Sequence, residues 1–363
     1  MEQVDRILRR AVAVGASDVH VEPQGDDVRV RYRIDGVLQT VGTLRGAQAQ
    51  AVTSRVKVLA ELDVAERRRP QDGRLQVEAD GRAVDVRVSV VPVSTGEKVV
   101  LRLLDRSALA LDLDRLGFEP GDLARFREAI AAPYGIVLVT GPTGSGKTTT
   151  LYAALREIAS DEVNVVTVED PIEYELGRIN QTQARPDLGF GFAEALRAFL
   201  RQDPDVMMVG EIRDVETARV AVRSALTGHL VFSTLHTNDA ASAVPRLADM
   251  GVEPYLLAAS VRMVVAQRLV RVLCEACKRP AEPEGTYEAV GCEDCQGTGY
   301  RGREAVYEVL DVDRELAEAI GRGASHAEVQ SLAADRGVRT LRDAAVRKWR
   351  SGRTSEDEVR RVV

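Results

Sequence analysis

Lysine is almost missing from this chain. Lys57, Lys98, Lys147, Lys278 and Lys348 are its only five, against 44 arginines in 363 residues, a bias that a GC-rich genome produces without any function. Arginine excess alone therefore identifies no partner. Aromatic residues make up 4% of the chain, with one tryptophan, so basic and aromatic side chains are not interleaved as a stacking surface for single-stranded nucleic acid requires. The net charge of −7 points the same way, and no nucleic-acid partner is expected. No apolar run approaches the length of a membrane span. The opening stretch MEQVDRILRRAVAVGA has too short an apolar segment and too many interior arginines for a secretory signal, so a cytoplasmic location is expected. Cysteine is scarce as well: the four residues form two C-x-x-C pairs, which in a cytosolic chain point to metal ligation before disulfides.

The length suggests two or three domains, and a hydrophobic content of 45% suffices for a sizeable core. Residues 1–105 carry short runs of alternating polarity, such as Val28 to Ile34 before the turn Asp35-Gly36, Val84 to Val91 and Val99 to Leu104, with helical patterning from Gln48 to Leu62. These predict an α+β domain. Residues 106–118 read as a linker. From 119 to 265 strand and helix alternate, which predicts a parallel sheet covered by helices. A cysteine-bearing subdomain is expected at 266–304 and a helical subdomain at 305–363, where Gly321, Gly337 and Gly352 mark breaks.

The apolar run Ile136 to Val139 leads into Gly141, Pro142, Thr143, Gly144, Ser145, Gly146, Lys147 and Thr148, after which Thr149 to Leu155 is helical in pattern. Strand, G-x-x-x-x-G-K-T and helix together make a phosphate-binding loop. Its glycines take backbone angles that a β-carbon forbids, so that successive N–H groups converge on phosphate oxygens. Lys147 supplies a cation to the β- and γ-phosphates, the Thr148 hydroxyl suits Mg²⁺, and the helix directs its positive end at the anion.

Two further strands end in acids: Val206 to Val209 delivers Gly210 and Glu211, and Val165 to Val168 delivers Glu169 and Asp170. In an open α/β sheet ligands bind beyond the carboxyl ends of strands, so all three acids are expected near the phosphates, with Glu211 and Glu169 as catalytic residues: Glu211 would orient the attacking water or hold a Mg²⁺ water ligand, and which of the two glutamates polarises the water is left open. A third strand, VFSTLHTND, carries His236, with His229 just before it in TGHL. A structural hydrogen bond is the commoner role of either histidine alone. Their place in a strand unit beside the acids makes both candidates for sensing the γ-phosphate. Cys274, Cys277, Cys292 and Cys295 are spaced C-x₂-C, fourteen residues, C-x₂-C, and four thiolates close a tetrahedral zinc site with no open position, a structural site rather than a catalytic one.

Taken in order, GPTGSGKTTTLY, VEDPIE, LRQDPDVMMVGEIRD and TGHLVFSTLHTNDA resemble the Walker A, Asp box, Walker B and His box of the secretion ATPase superfamily of the GspE/PilB type. ASDVHVEP, RYRIDG, RRPQDGR and the GEKVVLRLL run resemble the family's second N-terminal domain, so the resemblance covers nearly the whole sequence. It implies a RecA-like P-loop core behind a PAS-like α+β domain, and a homo-hexamer that hydrolyses ATP with Mg²⁺ by domain rotation. It places Arg87 and Arg102 in the γ-phosphate-facing positions, with Arg74 less securely placed. Arg197 and Arg201 fall at further phosphate- and interface-facing positions. It also implies zinc on the four cysteines, peripheral association with the inner membrane through platform proteins, and work for type II secretion, as INQTQ and ASAVPRLADMGVEPYLL suggest, with type IV pilus extension as the alternative. A RecA-like nucleic-acid translocase is the remote rival. The N-terminal extension that docks such motors is expected to be missing, in a shortened chain or a short natural member.

Overall fold

The computed structural model describes residues 2–25, 27–45, 47–79, 81–104 and 112–363, which fall into two compact units, Met1–Leu109 and Ala110–Val363. The expected linker at 106–118 lies partly outside the described residues. Of its described part, Leu113–Arg115 is a single helical turn whose Leu113 is buried in the core of the second unit.

The first unit contains α1 (Glu2–Ala13), β1 (Ala16–Gln24), β2 (Asp27–Ile34), β3 (Val37–Arg45), α2 (Ala47–Leu59), β4 (Gln71–Ala79), β5 (Arg82–Val93) and β6 (Gly96–Leu104). Its strands form one antiparallel sheet in the order β3-β2-β1-β6-β5-β4. Alternation does what it predicts. Val28, Val30 and Tyr32 of β2 are buried, under a cover that includes Leu8 of α1 and Val56 of α2, while Arg29, Arg31 and Arg33 stand on the opposite face. On that face the register sets Arg74 opposite Arg87, Arg87 opposite Arg102, Arg102 opposite Asp18 and Asp18 opposite Arg33. Three arginines thus stand in line on adjacent strands. Asp18 meets the row from one end, accepting from Arg102 Nε at 3.0 Å.

In the second unit come α3 (Pro120–Ile130), β7 (Gly135–Thr140), α4 (Lys147–Ile158), β8 (Val165–Glu169), β9 (Asn180–Gln183), α5 (Phe192–Phe199), β10 (Val206–Val209), α6 (Val215–Leu226), β11 (Leu230–Leu235), α7 (Ala243–Asp249), α8 (Pro254–Ser260) and β12 (Val261–Leu273). There follow the short hairpin β13 (Arg279–Ala281) and β14 (Thr286–Glu288), β15 (Tyr300–Asp311), and α9 (Arg314–Gly321), α10 (His326–Asp335), α11 (Leu341–Arg350) and α12 (Glu356–Val362). The large sheet runs β15-β12-β7-β11-β10-β8-β9, parallel throughout except for β15. Strands β7, β8, β10 and β11 are buried on both faces, as largely apolar runs require. Ile136 and Leu138 of β7 enter one core layer with α5, α6 and the C-terminal helices, and Val137 and Val139 enter the other with α3 and α4.

The parallel pattern does not stop near 265. Residues 266–273 and 300–311, expected within the cysteine and helical subdomains, are strands of the same sheet, and the cysteine-bearing stretch is an excursion between them. No helix among the described residues is long and apolar enough to cross a membrane.

Candidate functional site

Parallel strands deliver their carboxyl ends to one edge, and four of them carry the expected residues. β7 leads into Gly141, β8 ends at Glu169, β10 leads into Gly210-Glu211 and β11 leads into His236. The loop at the end of β7 closes on itself. Gly141 (φ +149°) leaves no room for a side chain, since an added Cβ would stand 2.5 Å from the Gln267 carbonyl oxygen and 2.7 Å from Ser145 Oγ. Gly146 (φ +89°) caps α4 in the left-handed region, where a Cβ would stand 2.7 Å from Gln267 Nε2. Lys147 is buried, and its ammonium donates to the carbonyl oxygens of Gly141 at 2.8 Å and Pro142 at 3.1 Å. Burial pushes its pKa down to about 8; Glu211 opposes the shift and Arg268 adds to it. Ser145 Oγ is buried without a hydrogen-bond partner. Pro142, Thr143, Gly144 and Thr148 are exposed, Thr149 is half-buried, and Thr150 is buried with its hydroxyl on Gln267 Oε1 at 2.8 Å. A glycine cradle, an orphaned hydroxyl and a lysine turned onto its own loop fit a bound phosphate group.

The two glutamates differ. Glu169 is buried at 3% exposure, and its carboxylate accepts from the Tyr152 phenol, from Thr167 Oγ1 at 2.6 Å and from Gln181 Nε2 at 3.1 Å. Glu211 instead accepts from Arg213 Nη2 at 2.5 Å and contacts His236 Nε2 at 3.3 Å. Burial would raise the Glu211 pKa, but Arg213 and His236 outweigh it and hold it below the usual carboxylate value. Asp170 is exposed, near enough to Arg213 to interact with it electrostatically.

His229 does not reach this edge. It precedes β11, and the six residues Leu230–Leu235 separate it from the carboxyl end by roughly 20 Å at the rise of an extended strand. There its Nδ1 lies 2.9 Å from the Ser224 carbonyl oxygen and its own carbonyl accepts from Gly135 N–H. Arg197 is exposed and pairs with Glu216 and Glu194, and Arg201 Nη1 donates to the Arg197 carbonyl oxygen at 2.9 Å. Arg87 and Arg102 belong to the first unit, in the arginine row already described. Tyr152, Gln181, Arg213, Gln267 and Arg268 are unanticipated members of the site. Tyr152, Gln181 and Arg213 lie inside motifs already quoted, GPTGSGKTTTLY, INQTQ and GEIRD, whereas Gln267 and Arg268 lie in none.

The four cysteines converge. Their sulfurs all lie within 4.8 Å of one another, and the structure has no other such group among its described residues. The N–H groups of Gly291, Cys292 and Gly299 donate to sulfur at 3.3, 3.1 and 3.2 Å. Burial opposes ionisation of Cys295, yet the N–H donors of Cys292 and Gly299 outweigh it and bring its pKa down to about 6. Burial pushes the Cys277 thiol up to about 12. A closed four-sulfur cluster with inward N–H donors fits a tetrahedral metal ion.

With this geometry established, comparison with known proteins is specific. The family model described as "Type II/IV secretion system protein" matches residues 1–361. The chain is 52% identical over 375 residues to the "Type IV pilus assembly ATPase PilB" of Myxococcus xanthus, covering 98% of this chain and 66% of that protein. It is 50% identical over 362 residues to the "Type II secretion system protein HxcR" of Pseudomonas aeruginosa, covering 100% of this chain and 77% of the other. Among solved structures, the ATPase DotB of Legionella pneumophila superposes with a TM-score of 0.74 at 25% identity, covering 98% of this chain and 94% of that one.

The depressed Lys147 pKa has a measurable sign. Bound phosphate favours the charged ammonium, so the pKa is about 8 without ligand and higher with it. Between the two values binding takes up a proton. Affinity for ADP, followed by fluorescence titration at constant ionic strength, is therefore expected to fall by up to about tenfold per unit as pH rises above 8. A pH-independent affinity between pH 7.5 and 9.5 would contradict this.

Proposed function

The chain belongs to the type II/IV secretion system protein family, and on that premise we propose that it is a Mg²⁺-dependent ATPase that powers type II secretion as a homo-hexamer. The observation that carries the reading is the shared sheet edge, where Lys147 turns onto its own loop while Glu211 and His236 touch each other at the neighbouring strand ends. Lys147 and the loop N–H groups hold the phosphates. Thr148 and Glu211 are the residues that would hold Mg²⁺ and its water, and the ion would supply positive charge against the charge that develops on the phosphates. Glu211, kept ionised by Arg213 and His236, faces the attacking water. Glu169 acts through its three hydrogen bonds as a fixed acceptor under α4.

The arginine row of the first unit supplies bidentate forks that suit the γ-phosphate, and Arg197 and Arg201 serve at subunit contacts. Support for these roles comes from the family resemblance and from the register, which sets Arg74, Arg87 and Arg102 side by side on adjacent strands. Zinc on the four thiolates staples the excursion between β12 and β15. Partner proteins of an inner-membrane platform would bring the motor to the membrane. A second reading, type IV pilus extension, is favoured by the 52% identity to a pilus assembly ATPase. In a deletion strain of the source organism, lost protein export with pili intact supports secretion, and lost pili supports extension.

Glu211→Gln is expected to lower phosphate release by roughly 100-fold or more while keeping ATP binding. Equal release from both forms would remove Glu211 from its role. Arg87→Gln and Arg102→Gln are each expected to reduce kcat by at least about 100-fold with a smaller effect on ADP affinity. Unchanged turnover would return the row to a solvated face. Elemental analysis should find one zinc per chain, and Cys292→Ser should lose it together with about 5–10 °C of melting temperature. A metal-free chain of unaltered stability would rule the staple out.

A further inference from the structure

Strand β12 forms a wall of the phosphate loop that none of the sequence motifs includes. Gln267 touches it at Gly141, Gly146 and Thr150. Arg268, the next residue, is half-buried, and its Nη1 would lie 3.2 Å from a Cβ placed on Gly141. Among the described residues its guanidinium donates only to oxygens of neutral groups: the Gln267 carbonyl at 3.0 Å, the Asn238 carbonyl at 2.8 Å and Asn238 Oδ1 at 3.4 Å.

Such a charge is unusual without a counter-ion. Asp239 and Glu308 are near enough to interact with it, but neither forms an ion pair with it among the described residues. Their carboxylates are engaged elsewhere. Asp239 accepts from Ser242 and contacts His326, and Glu308 accepts from the N–H groups of Ala240 and Leu341. Burial lowers the Arg268 pKa, and its charge in turn lowers that of Lys147. The position therefore accumulates positive charge beside a loop built for an anion. Asn238, which Arg268 grips, lies two residues after His236, and His236 contacts Glu211.

We propose that Arg268 is a further positioning residue of this site: its fork holds the loop bearing His236 against the phosphate loop, and its charge adds to that of Lys147 in favour of bound phosphate. The proposal rests on the ATPase reading given above. The two contributions are separable because lysine keeps the charge but not the planar fork that reaches Gln267 and Asn238 together.

The test compares wild type, Arg268→Lys and Arg268→Gln in the full chain, measuring kcat and KM for Mg-ATP and the Kd for ADP. Arg268→Lys is expected to keep the ADP Kd within about twofold of wild type while kcat drops about tenfold or more. Arg268→Gln should show the same loss of kcat and also weaken ADP by about fivefold or more. Unchanged kcat in Arg268→Lys overturns the positioning role. Equal losses of kcat and ADP affinity in both variants, as general loosening would give, overturn the separation of fork from charge. Should Arg268→Gln fail to fold, Arg268→Lys decides alone. If wild type binds ADP but releases no phosphate, the ATPase reading fails, and the ADP comparison still judges the charge.

Discussion

The nucleotide edge is organised around the cost of burying one ammonium group. Lys147 forms no ion pair among the described residues, and a buried cation in that condition is tolerated only where neutral dipoles replace its water. The Gly141 and Pro142 carbonyls do so here. They can turn inward only because Gly141 and Gly146 occupy left-handed backbone and because Gln267 packs where their side chains would stand. The same constraint accounts for the depressed pKa: the charge is poorly solvated until an anion arrives, and the carbonyls that hold it meanwhile are parts of the loop that the anion would reorganise.

That single charge also separates the two glutamates. Glu211 is close enough to raise the Lys147 pKa, so it belongs to the electrostatics of the loop, and Arg213 and His236 keep it ionised. Glu169 is one strand away, next to Gly210, yet its oxygens are committed to Tyr152, Thr167 and Gln181. Tyr152 follows Thr148 by one helical turn, so α4 joins the exposed Thr148 hydroxyl at its start to the phenol that fixes Glu169 below. Two acids that look equivalent in sequence thus have different work, set by the number of donors each meets.

Much of this was legible before the structure. Parallel strands buried on both faces read as unbroken apolar runs, so Val206–Val209 and Leu230–Leu235 stood out, and the acids followed from where those runs ended. His229 precedes its strand, and counting residues was enough to place it at the far edge, although shared strand membership suggested proximity to His236. β15 was hidden because the cysteine excursion separates it from its partner β12, and hydrogen bonding across such a gap leaves no periodic trace. Arg268 was hidden for another reason. An arginine within a strand reads as a solvated side chain, and only the packing of β12 against β7 reveals that it borders the loop. The burial of Glu169 is likewise a property of its neighbours.

The first unit shows how register carries information that spacing cannot. Arg74, Arg87 and Arg102 lie on separate strands, and only pairing aligns them. Strand β12 does the comparable work in the second unit. Its middle holds Gln267 and Arg268 against the phosphate loop, and Cys274 begins the sulfur cluster directly after its last residue. Beyond the cluster, Leu273 N–H donates to the Arg353 carbonyl oxygen, Arg271 stacks on Tyr300 at 3.9 Å, and Arg271 pairs with the buried Glu358 of α12. One strand is therefore fixed at its far end by the sulfur cluster and the C-terminal helices, and it is fixed in its middle to the glycine-rich loop. A shift of β12 along its axis would move Gln267 out of the space that Gly141 and Gly146 leave open, so the sulfur cluster bears on the geometry of the nucleotide edge through the position of that strand.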